Sequence, residues 1–215
     1  MKRCFMLFAL LCVSTCAFAQ KADAAFVVGG SFVSDSKLVF GIPCFVQPCP
    51  AAPVSQGIVK TDHHFFLEGD LGLRLLDGKA AALYLDVPVA GIPSQTLALA
   101  GTPSVFVDHL STVFITPGFR VKLLPGSPVS PWASIGGGWA RYSTDTGVKT
   151  NKGALEYGGG VDFKTKLPAL GFRAEVRDFV TGDPNFPVVS IFTVSGQGGL
   201  HHHNILAGGG IVLRF

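Results

Sequence analysis

The sequence predicts an all-β protein, an eight-stranded antiparallel transmembrane β-barrel. Three observations predict it: apolar content without a long apolar run, alternation of apolar and polar residues over eight stretches, and connections that alternate between short and long. Of 215 residues, 48% are hydrophobic and only 14% are charged, whereas a typical soluble domain carries about 25% charged residues. After residue 20 no apolar run reaches the roughly 18 residues that a membrane-spanning helix needs, so alternating strands account best for the apolarity.

The amino terminus has the features of a cleavable export signal. Lys2 and Arg3 precede a short apolar stretch, and Ala17-Phe18-Ala19 forms an A-x-A cleavage site. We expect residues 1–19 to be a signal peptide and residues 20–215 to form one barrel domain. Turns at one end of the barrel are then expected to be periplasmic and loops at the other end extracellular.

Two cysteines remain after the signal, Cys44 and Cys49, in the proline-rich stretch 41–50. Such a stretch does not form a regular strand, and the exported compartment is oxidising. A redox pair would have C-x-x-C spacing near a βαβ pattern, whereas this spacing is C-x4-C. We therefore expect a structural disulfide, with a metal pair or a redox dithiol as alternatives.

Alternation of apolar and polar residues identifies the strands and their faces. In the second strand, Phe65, Leu67 and Leu71 alternate with Glu68 and Asp70. The eight predicted stretches are residues 26–33, 65–75, 83–89, 112–122, 132–142, 155–164, 172–177 and 204–215. No convincing amphipathic helix appears between them.

The connections between these stretches alternate in length. Leu76-Asp77-Gly78-Lys79 has the D-G signature of a hairpin turn, and residues 124–131 and 165–169 are also short. Long connections cover residues 34–62, 91–110, 143–153 and 182–203. Short turns at one end and long loops at the other are typical of outer-membrane barrels. Strand-like residues 105–107 and 186–194 leave a ten-stranded count possible.

A soluble lipocalin-like barrel with a polar exterior is the alternative to a membrane barrel. The polar face carries Gly158, Gly160, Gly208 and Gly210, which suit a narrow interior filled by side chains. It also carries nearly balanced charges that could pair across a lumen. We therefore expect the polar face to point inward, with an interior charge network of Glu68, Asp70, Arg74, Asp86, Arg120, Glu156, Asp162, Arg173, Glu175, Arg177 and Arg214.

Three segments carry a resemblance to a known family: residues 131–139, residues 172–179 and the terminal strand 205–215, which ends in Phe215. They resemble the outer membrane protein beta-barrel family, the small OmpA/OmpX-type barrels of Gram-negative envelopes, over most of residues 23–215. The resemblance implies location in the outer membrane, contact with its lipid, and recognition of Phe215 as an assembly signal by the barrel assembly machinery.

The expected function is a structural or surface-interaction role in the cell envelope, without a cofactor and without enzymatic activity. We expect a monomer with an unknown extracellular ligand, and the small net charge of +3 gives no indication of nucleic-acid binding. A narrow porin is the first alternative, although balanced charges in a narrow lumen favour a plug.

An outer-membrane acyl hydrolase is the second alternative. It rests on His109-Leu110-Ser111, which resembles the His-x-Ser of lipid A deacylases, where a carboxylate orients the imidazole that activates serine. The acid that the resemblance would place shortly downstream is missing, because Val121, Lys122 and Leu123 occupy that region.

The histidines precede even-numbered predicted strands, which all begin at the same end of the barrel. The second and eighth strands both neighbour the first, so their starts are expected roughly 10 Å apart. Neutral imidazoles there could bind Zn²⁺, Cu²⁺ or Ni²⁺. The candidate ligands are His63, His64, His201, His202 and His203, and the alternative is that they are solvated loop residues.

Overall fold

The computed structural model describes residues 22–33, 36–40, 55–61, 63–100, 107–145, 147–182, 187–189, 192–193 and 200–215. The predicted signal peptide and the predicted disulfide between Cys44 and Cys49 lie outside these residues. Both therefore stay predictions. Within the described part of the chain, no helix is long and apolar enough to cross a membrane.

Eight antiparallel strands form one closed barrel, in which each strand pairs with its sequence neighbours and the last pairs with the first. The fourth strand is interrupted at Thr116 and Pro117, and both of its segments pair with the third and fifth strands. The strands are β1 Ala22–Val33, β2 His64–Asp77, β3 Ala81–Ala100, β4 Val107–Ile115 with Gly118–Leu123, β5 Val129–Thr144, β6 Lys149–Lys164, β7 Leu170–Gly182 and β8 Leu200–Arg214.

Closure between β1 and β8 extends over the full length of β1. Phe26 pairs with Ile211 and Val28 pairs with Gly209. Beyond β8, the backbone N of Phe215 donates a hydrogen bond of 2.9 Å to the carbonyl oxygen of Ala22. The predicted fold class, an eight-stranded antiparallel barrel, is confirmed.

Short turns connect the strands at one end, the short-turn end. Residues 78–80, 124–128 and 165–169 form these turns, as the sequence predicts. The D-G turn requires a glycine, because a Cβ at Gly78 would lie 2.6 Å from the carbonyl oxygen of Ala81. The barrel therefore has a compact rim at this end.

The opposite end, the long-loop end, has longer strands than the sequence predicts. We expected residues 143–153 to be an irregular loop, but β5 and β6 continue to Thr144 and from Lys149. Cross-strand pairing between Ser143 and Lys149 continues the ladder, although polar residues there give no apolar alternation. Likewise β3 reaches Ala100, well into the predicted loop 91–110, with a register shift between Ile92 and Gln95.

Two short hairpins add strands beyond the eight-stranded wall. Ser36–Phe40 pairs with Ser55–Thr61, and residues 58–61 of the latter pair with residues 97–100 at the end of β3. Pro187–Val189 pairs with Phe192–Thr193. These strands extend the structure at the long-loop end, so the alternative count of ten barrel strands is wrong.

The two faces of the wall differ as the alternation predicts. Outward side chains are apolar and exposed, with Leu71 61% and Ile135 59% exposed, while the inward Arg120 and Arg177 are fully buried. Alternation continues across the interruption in β4, where Phe119 faces outward and Arg120 faces inward. The charged side chains within the described wall consequently lie mainly in the lumen and at its two mouths.

Candidate functional site

The lumen is filled by two layers of inward side chains. A charged layer occupies the half toward the short-turn end, and an apolar layer occupies the half toward the long-loop end. On β2 the inward residues change from Asp70 and Glu68 to Phe66, and on β7 they change from Arg173 and Arg177 to Phe179.

Arg177 on β7 is the centre of the charged layer. Its guanidinium reaches four carboxylates from three other strands, β2, β3 and β6, and its side chain is fully buried. Its nitrogens lie 2.9 Å from Glu68 Oε1, 3.1 Å from Glu156 Oε1, and 3.3 Å from Asp70 Oδ2 and Asp86 Oδ2. Such a multiply bridged cation ties strands together that are distant along the chain.

Arg120 on β4 and Arg173 on β7 complete the centre of this layer. Both contact Asp70, and the distance from Arg120 Nη1 to Asp70 Oδ2 is 2.7 Å. Arg120 also lies 3.2 Å from Asp86, and Arg173 Nε lies 2.8 Å from Asp162 Oδ1. Asp70 therefore accepts contacts from three guanidinium groups, which offsets the cost of burying its charge.

Two charged residues on the side of this layer that faces the short-turn end are absent from the predicted network. Lys122 Nζ lies 3.2 Å from Asp23 Oδ2 and 2.5 Å from Asp162 Oδ2, and Asp23 also pairs with Arg120. Asp23 lies three residues before the first predicted strand, so only a longer β1 would have revealed it. Lys122 lies on the polar face of β4, so the alternation contained its signal.

Aromatic rings lie against the guanidinium groups of the three arginines. Arg173 and Arg177 lie over the Trp132 ring at 4.9 and 5.0 Å from its centroid, and Arg120 lies 5.1 Å from the centroid of Tyr84. The negative face of an aromatic ring attracts a cation. Aromatic side chains on the inward face therefore help to accommodate three arginines.

Three residues of the predicted network remain, of which Glu175 lies inside the charged layer and Arg74 and Arg214 lie at the short-turn rim. Glu175 Oε2 is 3.6 Å from Arg177 Nε. Arg74 is at the short-turn rim, where Nε and Nη2 donate hydrogen bonds of 2.9 and 2.7 Å to the Tyr84 hydroxyl and Nη1 pairs with Asp77 at 3.0 Å. Arg214 lines the mouth of the lumen at the same rim.

The apolar layer fills the other half of the lumen. Phe114 and Phe179 stack with ring centroids 4.7 Å apart, and the Tyr142 ring meets Phe114 edge-on. The Tyr142 and Thr181 hydroxyls lie 2.7 Å apart. The buried members are Val27, Phe66, Ala90, Ile92, Leu110, Phe114, Ala140, Tyr142, Ala154, Phe179 and Leu206. The alternation places Phe66 on the same face as Glu68 and Asp70, but it does not show that the inward residues at this end of several strands form one apolar layer.

The histidines of the predicted metal site lie on opposite faces. His63 is exposed, with its ring 5.1 Å from that of Phe32, whereas His64 Nε2 accepts a hydrogen bond from the Thr96 backbone. His202 is buried near Tyr142, whereas His203 Nδ1 lies 2.7 Å from Asp178 Oδ2.

Strand register also separates the two groups of histidines. His64 and Leu206 both pair with Ser31, so His202 lies four residues, about 13 Å, further along β8. Among the described side chains, which do not include that of His201, no group of three or more His, Cys, Asp or Glu residues is arranged to hold a metal ion. The shared metal site predicted from the sequence requires β2 and β8 to begin side by side, whereas this register places His64 and His202 four residues apart along the barrel wall.

The His109-Leu110-Ser111 segment lies on β4 near the long-loop end. Leu110 points into the apolar layer and His109 is exposed. Ser111 Oγ donates a hydrogen bond of 3.3 Å to the carbonyl oxygen of Ser143. The serine hydroxyl is therefore hydrogen-bonded to the backbone of the neighbouring strand β5.

An unexpected carboxylate lies on the outward face. Asp178 on β7 is 9% exposed, and its Oδ2 accepts a hydrogen bond of 2.6 Å from the Tyr157 hydroxyl as well as the contact with His203. The alternation within residues 172–177 predicts a purely apolar outer face, and Asp178 comes directly after that stretch. Tyr157 on β6 and His203 on β8 thus contact this carboxylate from the two adjacent strands.

Phe215 lies at the short-turn rim and is 74% exposed. Its position follows from the hydrogen bond to Ala22, which holds the chain terminus against β1. This is the location expected for a terminal aromatic residue at a membrane interface.

Comparisons with known proteins identify the fold. No family model matches the chain, and no curated protein matches it significantly. Among solved structures, it is similar to the outer membrane protein OprG from Pseudomonas aeruginosa, with a TM-score of 0.60 and 9% identity over 92% of this chain and 96% of that chain.

Two further similar structures have TM-scores below 0.5 and add no argument. One is Neisserial surface protein A, with a TM-score of 0.49 and 16% identity over 91% of this chain and 97% of that one. The other is the outer membrane protease OmpT from Escherichia coli, with a TM-score of 0.48 and 8% identity over 92% of this chain and 99% of that one. The similarity to OprG confirms, for the fold, the resemblance predicted from the sequence: the chain has the architecture of a small outer-membrane β-barrel.

Proposed function

We propose that the protein is a monomeric, non-conducting outer-membrane barrel with a structural or surface-interaction role in the cell envelope. In this proposal the short-turn end faces the periplasm and the long-loop end faces the exterior. The exposed apolar outer wall supports contact with lipid, and the similarity to OprG supports location in the outer membrane.

The filled lumen is the observation that carries the proposal. Phe66, Phe114 and Phe179 are fully buried in the apolar layer, and Arg120 and Arg177 are fully buried below them. Moving a hydrated ion through these layers would require breaking several short ion pairs and displacing aromatic side chains. A sealed lumen favours a role carried by the outside of the barrel over the alternative of a narrow porin.

The long-loop end supports a surface interaction. β3 extends to Ala100 and carries the additional strands Ser55–Thr61 and Ser36–Phe40. This extension projects a sheet beyond the barrel, and backbone groups at a sheet edge can pair with another chain. Crosslinking of intact cells would identify the partner.

Conductance across planar bilayers tests the proposal. The refolded protein is expected to give no stepwise currents, because both lumen layers block ions. An established general porin, inserted into the same bilayers, provides the positive control for insertion and for detection of currents. Stepwise currents from the unmodified protein, in proportion to the amount of barrel inserted, would establish the porin instead.

Incubation with lipopolysaccharide and phospholipid vesicles tests the expectation that the protein has no acyl hydrolase activity. We expect no release of fatty acid, since Ser111 is bonded to the backbone of β5. Fatty-acid release by the refolded protein that is lost in both His109→Ala and Ser111→Ala would show that the hydrolase alternative is correct.

A further inference from the structure

A cavity of about 780 Å³ opens at the short-turn end of the lumen. We call it the vestibule. It lies between the turns 78–80, 124–128 and 165–169 and the ends of the strands that they connect. Its volume falls within the range of about 300–1,000 Å³ that is usual for small-molecule sites.

The lining of the vestibule is strongly basic. Five of its side chains are cationic and two are anionic, a formal excess of three positive charges. The cations are Arg74, Lys79, Lys122, Lys164 and Arg214, and the anions are Asp23 and Asp77. Two of the cations face these anions: Lys122 pairs with Asp23 on the floor of the cavity, and Arg74 pairs with Asp77 on its wall.

Lys164 and Arg214 flank one glycine at the mouth. Gly171 pairs with Lys164 across β6 and β7, and the Arg214 guanidinium packs against Gly171 from the other side, 2.5 Å from where a Cβ would lie. Lys164 and Arg214 thus lie on the strands to either side of β7, where one anion could contact both side chains.

The floor of the vestibule is closed. Lys122 Nζ lies 5.0 Å from the centroid of the Tyr84 ring and pairs with Asp162 in the charged layer above. A ligand that enters from the short-turn end consequently meets a wall of ion pairs. This geometry suits binding and release at one mouth better than passage through the barrel.

We infer that the vestibule binds a phosphate-bearing anion. An arginine fork and lysine ammonium groups are the side chains that bind phosphate oxygens best, and a phosphate group with about two negative charges at neutral pH matches the excess charge. Two sources share this chemistry: a soluble phosphate from the periplasm, and the headgroup of a neighbouring phospholipid at the rim. The inference goes beyond the proposed function, since a sealed lumen does not require an occupied vestibule.

Titration with pyrophosphate tests the inference. The refolded protein in phosphatidylcholine nanodiscs is titrated by calorimetry, and backbone amide shifts are followed by NMR. We expect saturable binding with shifts confined to the turns and strand ends around the vestibule. The double variant Lys164→Gln, Arg214→Gln should lose at least ten-fold in affinity, and affinity should fall as salt concentration rises.

Two single variants serve as matched controls. Lys166→Gln removes an exposed lysine from the same turn but outside the lining, and Lys149→Gln removes one from the opposite end of β6. Both should bind like the unmodified protein. If the double variant does not fold, Lys79→Gln on the exposed turn replaces it, with an expected loss of two-fold or more.

The source of the anion is resolved by repeating the titration in discs containing phosphatidylglycerol. Weaker pyrophosphate binding in these discs identifies the lipid headgroup as a competitor, and unchanged binding identifies a soluble anion. The inference is overturned if no saturable binding occurs, or if the lining variants and the controls have the same affinity.

Discussion

At the scale of single residues, the charged layer depends on side chains that each serve several partners. Arg177 contacts four carboxylates within 3.3 Å, and Asp70 contacts three arginines. Removing one partner from a buried ion pair leaves the other charge uncompensated, which costs much more than the pair contributes. The central residues of the layer should therefore be far more sensitive to substitution than charges at the surface.

Replacement of Arg177 by methionine should destabilise the barrel strongly. It preserves much of the side-chain volume but leaves Glu68 and Glu156 without their nearest cation, so we expect a loss of about 3–5 kcal/mol in the free energy of unfolding. Urea unfolding in detergent micelles measures this loss. The control is Arg141→Met on an exposed position of β5, and equal unfolding midpoints for the two variants would argue against a central role for Arg177.

At the scale of elements, alternation predicted the strands well where one face is apolar and the other charged. In β2, Leu67 and Leu71 against Glu68 and Asp70 defined both the strand and its orientation. Prediction failed where both faces have the same polarity. The polar ends of β5 and β6 looked like a loop, because cross-strand pairing rather than local alternation forms them. The apolar layer was not predicted either, since it forms only when barrel closure brings inward apolar residues of different strands together.

Close approach of strands should make Gly138 on β5 intolerant of substitution. A Cβ at Gly138 would lie 1.9 Å from the carbonyl oxygen of Ile115, where β4 is interrupted, whereas the nearest atom to a Cβ at the adjacent Gly137 is 4.0 Å away. We expect Gly138→Ala to lower the yield of heat-modifiable, folded barrel several-fold and Gly137→Ala to leave it unchanged. Similar yields from the two variants would mean that the backbone adjusts freely there.

Deletion of Phe215 should impair assembly more than loss of another outward aromatic residue. Its backbone N joins the terminus to β1 at Ala22, and its side chain is exposed at the rim. We expect deletion to reduce the amount of folded protein in outer membranes, while Phe163→Ala, which removes an outward ring from β6, has a smaller effect. Quantitative fractionation of cells measures both, and a larger loss from Phe163→Ala would refute the assembly role.

At the scale of the whole molecule, the barrel has three functional zones along its axis. The vestibule carries excess positive charge, the charged and apolar layers fill the lumen, and strand extensions project from the opposite end. Strands β2, β4 and β7 carry their inward residues in this order, charged toward the short-turn end and apolar toward the long-loop end. The sequence alone could predict the charged zone, but the vestibule and the apolar layer appear only when eight strands are placed side by side in register.

Cross-strand NMR contacts between β1 and β8 test the central claim, that the chain closes into an eight-stranded barrel, most directly. In deuterated protein refolded in micelles, we expect amide contacts between residues that face each other in the register, such as Val27 with Gly210 and Gly29 with Gly208. Absence of contacts between β1 and β8, or contacts of β1 with a different strand, would contradict the closed barrel and the filled lumen that depends on it.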